Sequence, residues 1–123
     1  MKTPKIFDSE YHFCEILWEV EPVKSTELVR LCGERLGWKK STTYTVIKRL
    51  SERGVVKTEN AVVRSAVSRD MVQRAESRAF VEKNFDGSLP RFVAAFAGGR
   101  GLTAAEAEEL RQMIDRFEEE QHE

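Results

Sequence analysis

The sequence predicts a mainly α-helical chain: a winged helix-turn-helix domain with a small β-hairpin over residues 1–68, then a helical region over 69–123. Three observations carry that expectation. Apolar residues recur at helical spacing in three successive stretches before Gly54. Two short runs rich in β-branched residues then flank the polar pair Glu59-Asn60. Beyond residue 68, glycines divide the chain into further short helical segments.

Residues 8–20 open the series. Asp8 or Ser9 stands where a cap is needed. Phe13, Ile16, Leu17 and Val20 form a stripe, with Tyr11, Cys14 and Trp18 beside it. So many large apolar side chains belong to a core, and Pro22 forbids the helix from continuing. Ser25 or Thr26 caps a second helix that reaches Leu36, with Leu28, Leu31, Cys32 and Leu36 facing inward and Gly37 as its stop. Ser41 begins a third helix, which Gly54 ends. Two short helices joined by a tight, Gly-containing connection match the helix-turn-helix arrangement. Val55–Thr58 and Ala61–Val67 supply the hairpin that makes a winged helix of it. Its tip carries Glu59, which repels phosphate, and one cation, Arg64, so the wing is expected to touch at most a nucleic-acid backbone.

The rear reads differently. Ser68 to Asp86 is a longer helix whose apolar residues lie widely round it. Leu89, Phe92, Val93 and Phe96 repeat the i, i+3, i+4, i+7 spacing in a short helix. Gly98-Gly99-Arg100-Gly101 is a flexible joint. Thr103 and Glu106 make a T-x-x-E capping box for a last helix, with Ala107, Leu110, Met113, Ile114 and Phe117 on its inner face. Helices this short are marginal alone in water. Phe80, Leu89, Phe92, Val93, Phe96, Leu110, Met113, Ile114 and Phe117 are therefore expected to form a dimerisation surface against a second copy. The alternative is a monomer whose rear helices fold back on the front domain.

Composition narrows the function. The net charge of −1 hides a split: residues 1–70 hold 13 Lys+Arg against 10 Asp+Glu, and residues 71–123 hold 7 against 11. Only the front half is suited to a polyanion. Cys14 and Cys32 lie inside apolar helical patterns without paired spacing, which reads as buried free thiols in a reducing cytoplasm. No signal peptide or membrane span is expected, because the N-terminal stretch lacks a long apolar run. Catalysis finds no support either. His12 lies beside a helix core, His122 lies in the tail, and neither a Gly-rich phosphate loop nor an activated nucleophile accompanies them. The acids of 106–120 read as a solvated helix face, so no metal and no cofactor are expected.

The third helix is the candidate site. Thr43, Val46, Ile47 and Leu50 share one face, which puts Ser41, Thr45 and Lys48 opposite and Tyr44 and Arg49 at the flanks. Six cations (Lys39, Lys40, Lys48, Arg49, Arg53 and Lys57) fall between residues 39 and 57 against one acid, Glu52. A helix with an apolar back and a front of hydroxyls and cations can rest on a core while entering a DNA groove. Lys39, Lys40, Lys48, Arg49 and Arg53 are the expected phosphate or groove contacts, and Ser41 belongs to the same face. Thr42, Tyr44 and Thr45 are better placed for base edges or thymine methyls. The same pattern also fits a solvated helix over a core, and Arg49 has a structural alternative in a salt bridge to Glu52 or Glu15.

At three places the chain resembles the penicillinase repressors of the BlaI/MecI type. Ser9-Glu10, an aromatic and then Ile16-Leu17-Trp18 resemble that family's first helix. Trp38, Thr42, Thr45, Ile47, Arg49, Leu50 and Gly54 fall at the spacing of its recognition helix. Asp86-Gly87-Ser88, Phe96, Leu102-Thr103, Glu106 and Glu109-Leu110 resemble its dimerisation region. The resemblance implies a dimeric winged-helix repressor on a palindromic double-stranded DNA operator, controlling β-lactam resistance genes. It also implies relief by proteolysis, triggered by a membrane sensor of β-lactams, at a bond matching Ala95–Phe96. Typical members carry asparagine before that bond and arginine at the position of Tyr44, and their hairpin is longer. Two other readings fit the same fold: a regulator released by a ligand or by thiol oxidation at Cys14 or Cys32, and a protein-binding adaptor without DNA affinity.

Overall fold

In a computed structural model the chain is described over residues 3–121, which leaves His122 outside the described residues. The order of elements is α1 (Asp8–Val20), β1 (Val23–Lys24), α2 (Ser25–Leu36), α3 (Lys40–Glu52), β2 (Val56–Glu59), β3 (Val62–Ser65), α4 (Arg69–Phe85), α5 (Leu89–Ala97) and α6 (Ala104–Gln121). The chain divides into two compact units, Met1–Ala79 and Phe80–Glu123. The division falls inside α4, eleven residues beyond the expected 68/69 boundary, because Val72 is buried in the front core.

The front unit is a winged helix. Phe13, Cys14, Ile16 and Leu17 of α1 meet Leu28, Leu31 and Cys32 of α2 and Val46, Ile47 and Leu50 of α3 in one core. Val55, Val56, Val63 and Val67 close it from the hairpin side. Gly37 ends α2 at φ 68°, a left-handed conformation that a side chain would strain. The hairpin turns at Asn60 and Ala61, with φ of 51° and 64°, as a two-residue type I′ turn requires.

Two details depart from expectation. The hairpin is part of a three-stranded antiparallel sheet in the order β1-β3-β2, with Val23 opposite Val63 and Lys24 opposite Val62. A two-residue strand is too short to leave a periodic signature. The caps of the first three helices also shift. Their N-caps are Phe7, Lys24 and Lys39, none of which bonds through its side chain, so Asp8, Ser25 and Lys40 are first-turn residues. In α1 the Phe7 N–H donates instead to Glu10 Oε1 at 2.9 Å.

In the rear unit the Thr103–Glu106 box forms as the sequence suggests, and Ser88 caps α5 in addition. Ser88 Oγ accepts from Arg91 N–H at 3.3 Å, and Thr103 and Glu106 bond each other's backbone N–H at 3.0 Å both ways. Phe80, Phe85, Phe92 and Phe96 form a chain of aromatic contacts, with adjacent centroids 5.5–6.1 Å apart. The expected inner face of α6 is not covered: no described residue of α5 or α6 is buried.

Candidate nucleic-acid interface

Helix α3 turns one face into the core and the other outward, as the 3.6-residue period requires. Thr43, Val46, Ile47 and Leu50 are buried. Lys40, Ser41, Thr42, Tyr44, Thr45, Lys48 and Arg49 are exposed, and Lys39 stands exposed just before the helix. Thr45 Oγ1 donates back to Ser41 O at 2.9 Å, which uses its hydrogen and leaves the oxygen free to accept. Entry into α3 is fixed by Trp38, whose ring stacks on Phe13 with centroids 6.2 Å apart.

The free cations separate from the engaged ones. Lys39, Lys40, Lys48 and Arg49 take part in no ion pair among the described residues, so the alternative pairing of Arg49 with Glu52 or Glu15 does not form. Arg64 lies on β3 opposite Lys57, exposed, and 3.7 Å from Glu59 at the hairpin tip. That acid partly cancels the charge of Arg64.

Arg53 departs from the expected set. It follows α3 as its C-cap and its guanidinium grips Glu10, with Nη1 donating to Oε2 at 3.1 Å and Nη2 donating to Oε1. Its charge is committed to a carboxylate that is 8 % exposed, and Phe7 lies over the guanidinium at 5.2 Å. Arg53, although partly exposed, is therefore not a free cation for a phosphate. Glu10 is the partner the sequence reading passed over. The cue was present: Glu10, Phe13, Cys14 and Leu17 stand at i, i+3, i+4 and i+7, so the buried stripe of α1 begins with an acid.

Burial pushes the Glu10 carboxyl up, but the Arg53 hydrogen bond, the Phe7 N–H and the charges of Arg53 and Arg49 together outweigh it and hold the group below the usual range. Burial acts on the two thiols as well. Burial first, and then the Glu10 charge, push Cys14 up to about 12, and burial raises Cys32. A buried thiol kept protonated is a poor oxidation sensor, which argues against release through Cys14 or Cys32.

In the rear unit Phe80, Leu89, Val93, Phe96, Leu110, Met113, Ile114 and Phe117 are exposed and Phe92 is half-buried. An apolar groove of about 430 Å³ runs between Phe92, Val93 and Phe96 on one side and Leu102, Leu110 and Met113 on the other. Ala95 and Phe96 both lie on the surface in the last turns of α5, and Arg100 covers the Phe96 ring at 5.3 Å. Among the described residues no group of His, Cys, Asp and Glu could hold a metal ion, and no helix is long and apolar enough to cross a membrane.

The sequence model of the family described as Penicillinase repressor matches residues 6–116. The chain is 25% identical over 119 residues to the methicillin resistance regulatory protein MecI of Staphylococcus aureus (strain Mu50 / ATCC 700699), covering 94% of this chain and 97% of that protein. It is 21% identical over 118 residues to the penicillinase repressor of Bacillus licheniformis, covering 93% and 92%. Among solved structures, the monomeric form of Bacillus licheniformis BlaI in complex with the blaP half-operator aligns with a TM-score of 0.51 at 21% identity, over 58% of this chain and 93% of that one. That likeness supports the winged-helix fold.

Proposed function

The chain belongs to the penicillinase repressor family, and from that premise we propose that it is a transcriptional repressor that binds double-stranded DNA. The observation that carries the reading is the outward face of α3 and its N-cap: four cations in no ion pair among the described residues and four hydroxyl groups, on a helix whose back is seated in the core. In this reading Lys39, Lys40, Lys48 and Arg49 meet phosphates, and Ser41, Thr42, Tyr44 and Thr45 approach base edges. Arg64 adds a backbone contact from the wing.

The protein acts as a homodimer on a palindromic operator, because two linked half-sites multiply a weak single contact. The exposed aromatics and aliphatics of α5 and α6 support that state, since an apolar surface of this kind is costly to leave in water. Repression of β-lactam resistance genes is the role that fits its relatives' names. Relief comes from a protease linked to a membrane sensor, cutting at Ala95–Phe96. The accessible position of that bond, followed by Gly98, Gly99 and Gly101, supports the site.

The test is a mobility-shift series on a duplex selected by the protein from a random pool, with a scrambled duplex as control. Lys48→Ala and Arg49→Ala are expected to weaken binding to both duplexes and to lower the salt slope by about 1 each. Thr45→Ala is expected mainly to relax sequence choice. Unchanged affinity in both charge variants would reject α3 as the reading helix.

A further inference from the structure

Glu10 is the only charged side chain buried among the described residues, held by the N-cap of its own helix and by the residue at the exit of α3. The Phe7 N–H donates to its Oε1 at 2.9 Å, and both terminal nitrogens of Arg53 donate to its two oxygens. A forked guanidinium on a carboxylate fixes angle as well as distance. The Phe7 ring, itself half exposed, roofs the pair, with Arg53 at 5.2 Å and Lys5 Nζ at 5.0 Å from its centroid. Arg53 is tied in turn to the helix it ends, its N–H donating to Arg49 O at 3.2 Å. Phe13, one turn along α1 from Glu10, stacks on Trp38 at the other end of α3. One helix thus holds the reading helix at its entry through an aromatic stack and at its exit through an ion pair.

We infer that Glu10 and Arg53, roofed by Phe7, are positioning residues for sequence-specific DNA reading: they fix how α3 is presented, and so align Thr42, Tyr44 and Thr45 with base edges. The inference rests on α3 being the reading helix. Neither residue needs to touch DNA for it to hold. Base contacts tolerate only small misplacements, whereas phosphate attraction survives them, so loosening the exit of α3 lowers specific binding and spares non-specific binding.

Electrostatics alone makes the opposite statement about Glu10, which gives the experiment its power. Removing an acid from a DNA-binding surface strengthens binding to any duplex. Glu10→Gln keeps the volume and an acceptor for the Phe7 N–H but takes the charge from the fork. Affinities of wild type, Glu10→Gln and Arg53→Lys are measured by fluorescence anisotropy on the selected and scrambled duplexes, well below each variant's unfolding midpoint. Arg53→Lys keeps the charge while losing the two-pronged geometry, and serves alone if Glu10→Gln does not fold.

The expected result is a loss of about tenfold on the selected duplex for Glu10→Gln and a smaller loss for Arg53→Lys, with scrambled-duplex affinity unchanged or raised. Wild-type or tighter binding to the selected duplex in folded variants would overturn the positioning role. An equal loss on both duplexes from Arg53→Lys would also overturn it, because that pattern belongs to a phosphate contact. Lys48→Ala and Arg49→Ala run in parallel: if they too leave binding unchanged, it is the reading of α3 that has failed.

Discussion

At the scale of the residue, Glu10 ties the stability of the front unit to pH. Its carboxyl is held below the usual range in the folded chain, where Arg53 and the Phe7 N–H outweigh the opposing effect of burial. In the unfolded chain it titrates near the ordinary glutamate value of about 4.3. A group depressed on folding stabilises the fold above its unfolded value, and the contribution disappears as pH falls through the folded one. At pH 7, Glu10→Gln is expected to cost about 2 kcal/mol, toward the low side for a buried pair because Arg53 is partly solvated. Urea unfolding of wild type and variant from pH 7 to pH 3 checks this. The gap should begin to narrow as pH falls below about 4.3 and go on narrowing toward pH 3, and a constant gap would mean that the carboxylate's charge is not what stabilises. Most of the α3 face was legible residue by residue, because helical periodicity separates buried from exposed positions there. Arg53 was not, because the sequence shows that a cation exists but not which acid, forty-three residues earlier, claims it.

At the scale of the element, the helices were readable and their joints less so. Glycines at 37 and 54, both at positive φ, end α2 and α3 where expected. The Thr103–Glu106 box forms because its two bonds are local. Strand β1 was missed because its partner is remote: Val23 pairs with Val63, and the Ser25 N–H donates to Ala61 O at 2.8 Å. That bond sets the hairpin tip against the start of α2. The two-residue turn at that tip holds a non-glycine residue in the left-handed region, with Ala61 at φ 64°. Ala61→Gly is expected to relieve that strain and stabilise the chain by about 0.5–1 kcal/mol, after allowing for the larger entropy of the unfolded glycine. Thermal unfolding reads the sign. A lower midpoint would show that the alanine is at no disadvantage there.

At the scale of the whole molecule, charge and apolar surface divide between the two ends of the sequence. The mildly basic front carries the proposed reading face, and the acidic rear carries most of the exposed large apolar residues. Pairing through the rear would let the front units act together on one duplex. A chain ending at Ala95, as the proposed cleavage would leave it, lacks Phe96 and all of α6. By sedimentation equilibrium it should be monomeric, and it should bind the selected duplex far more weakly than the full chain. A truncated protein that stays dimeric with operator affinity intact would exclude proteolytic relief.

The most direct measurement is a titration of the isotope-labelled full chain with the selected duplex, followed by backbone amide chemical shifts. The largest changes are expected at Lys39 and along α3 to Arg49, with smaller ones on the hairpin near Arg64. Changes confined to other elements, or none at saturating duplex, would contradict that expectation.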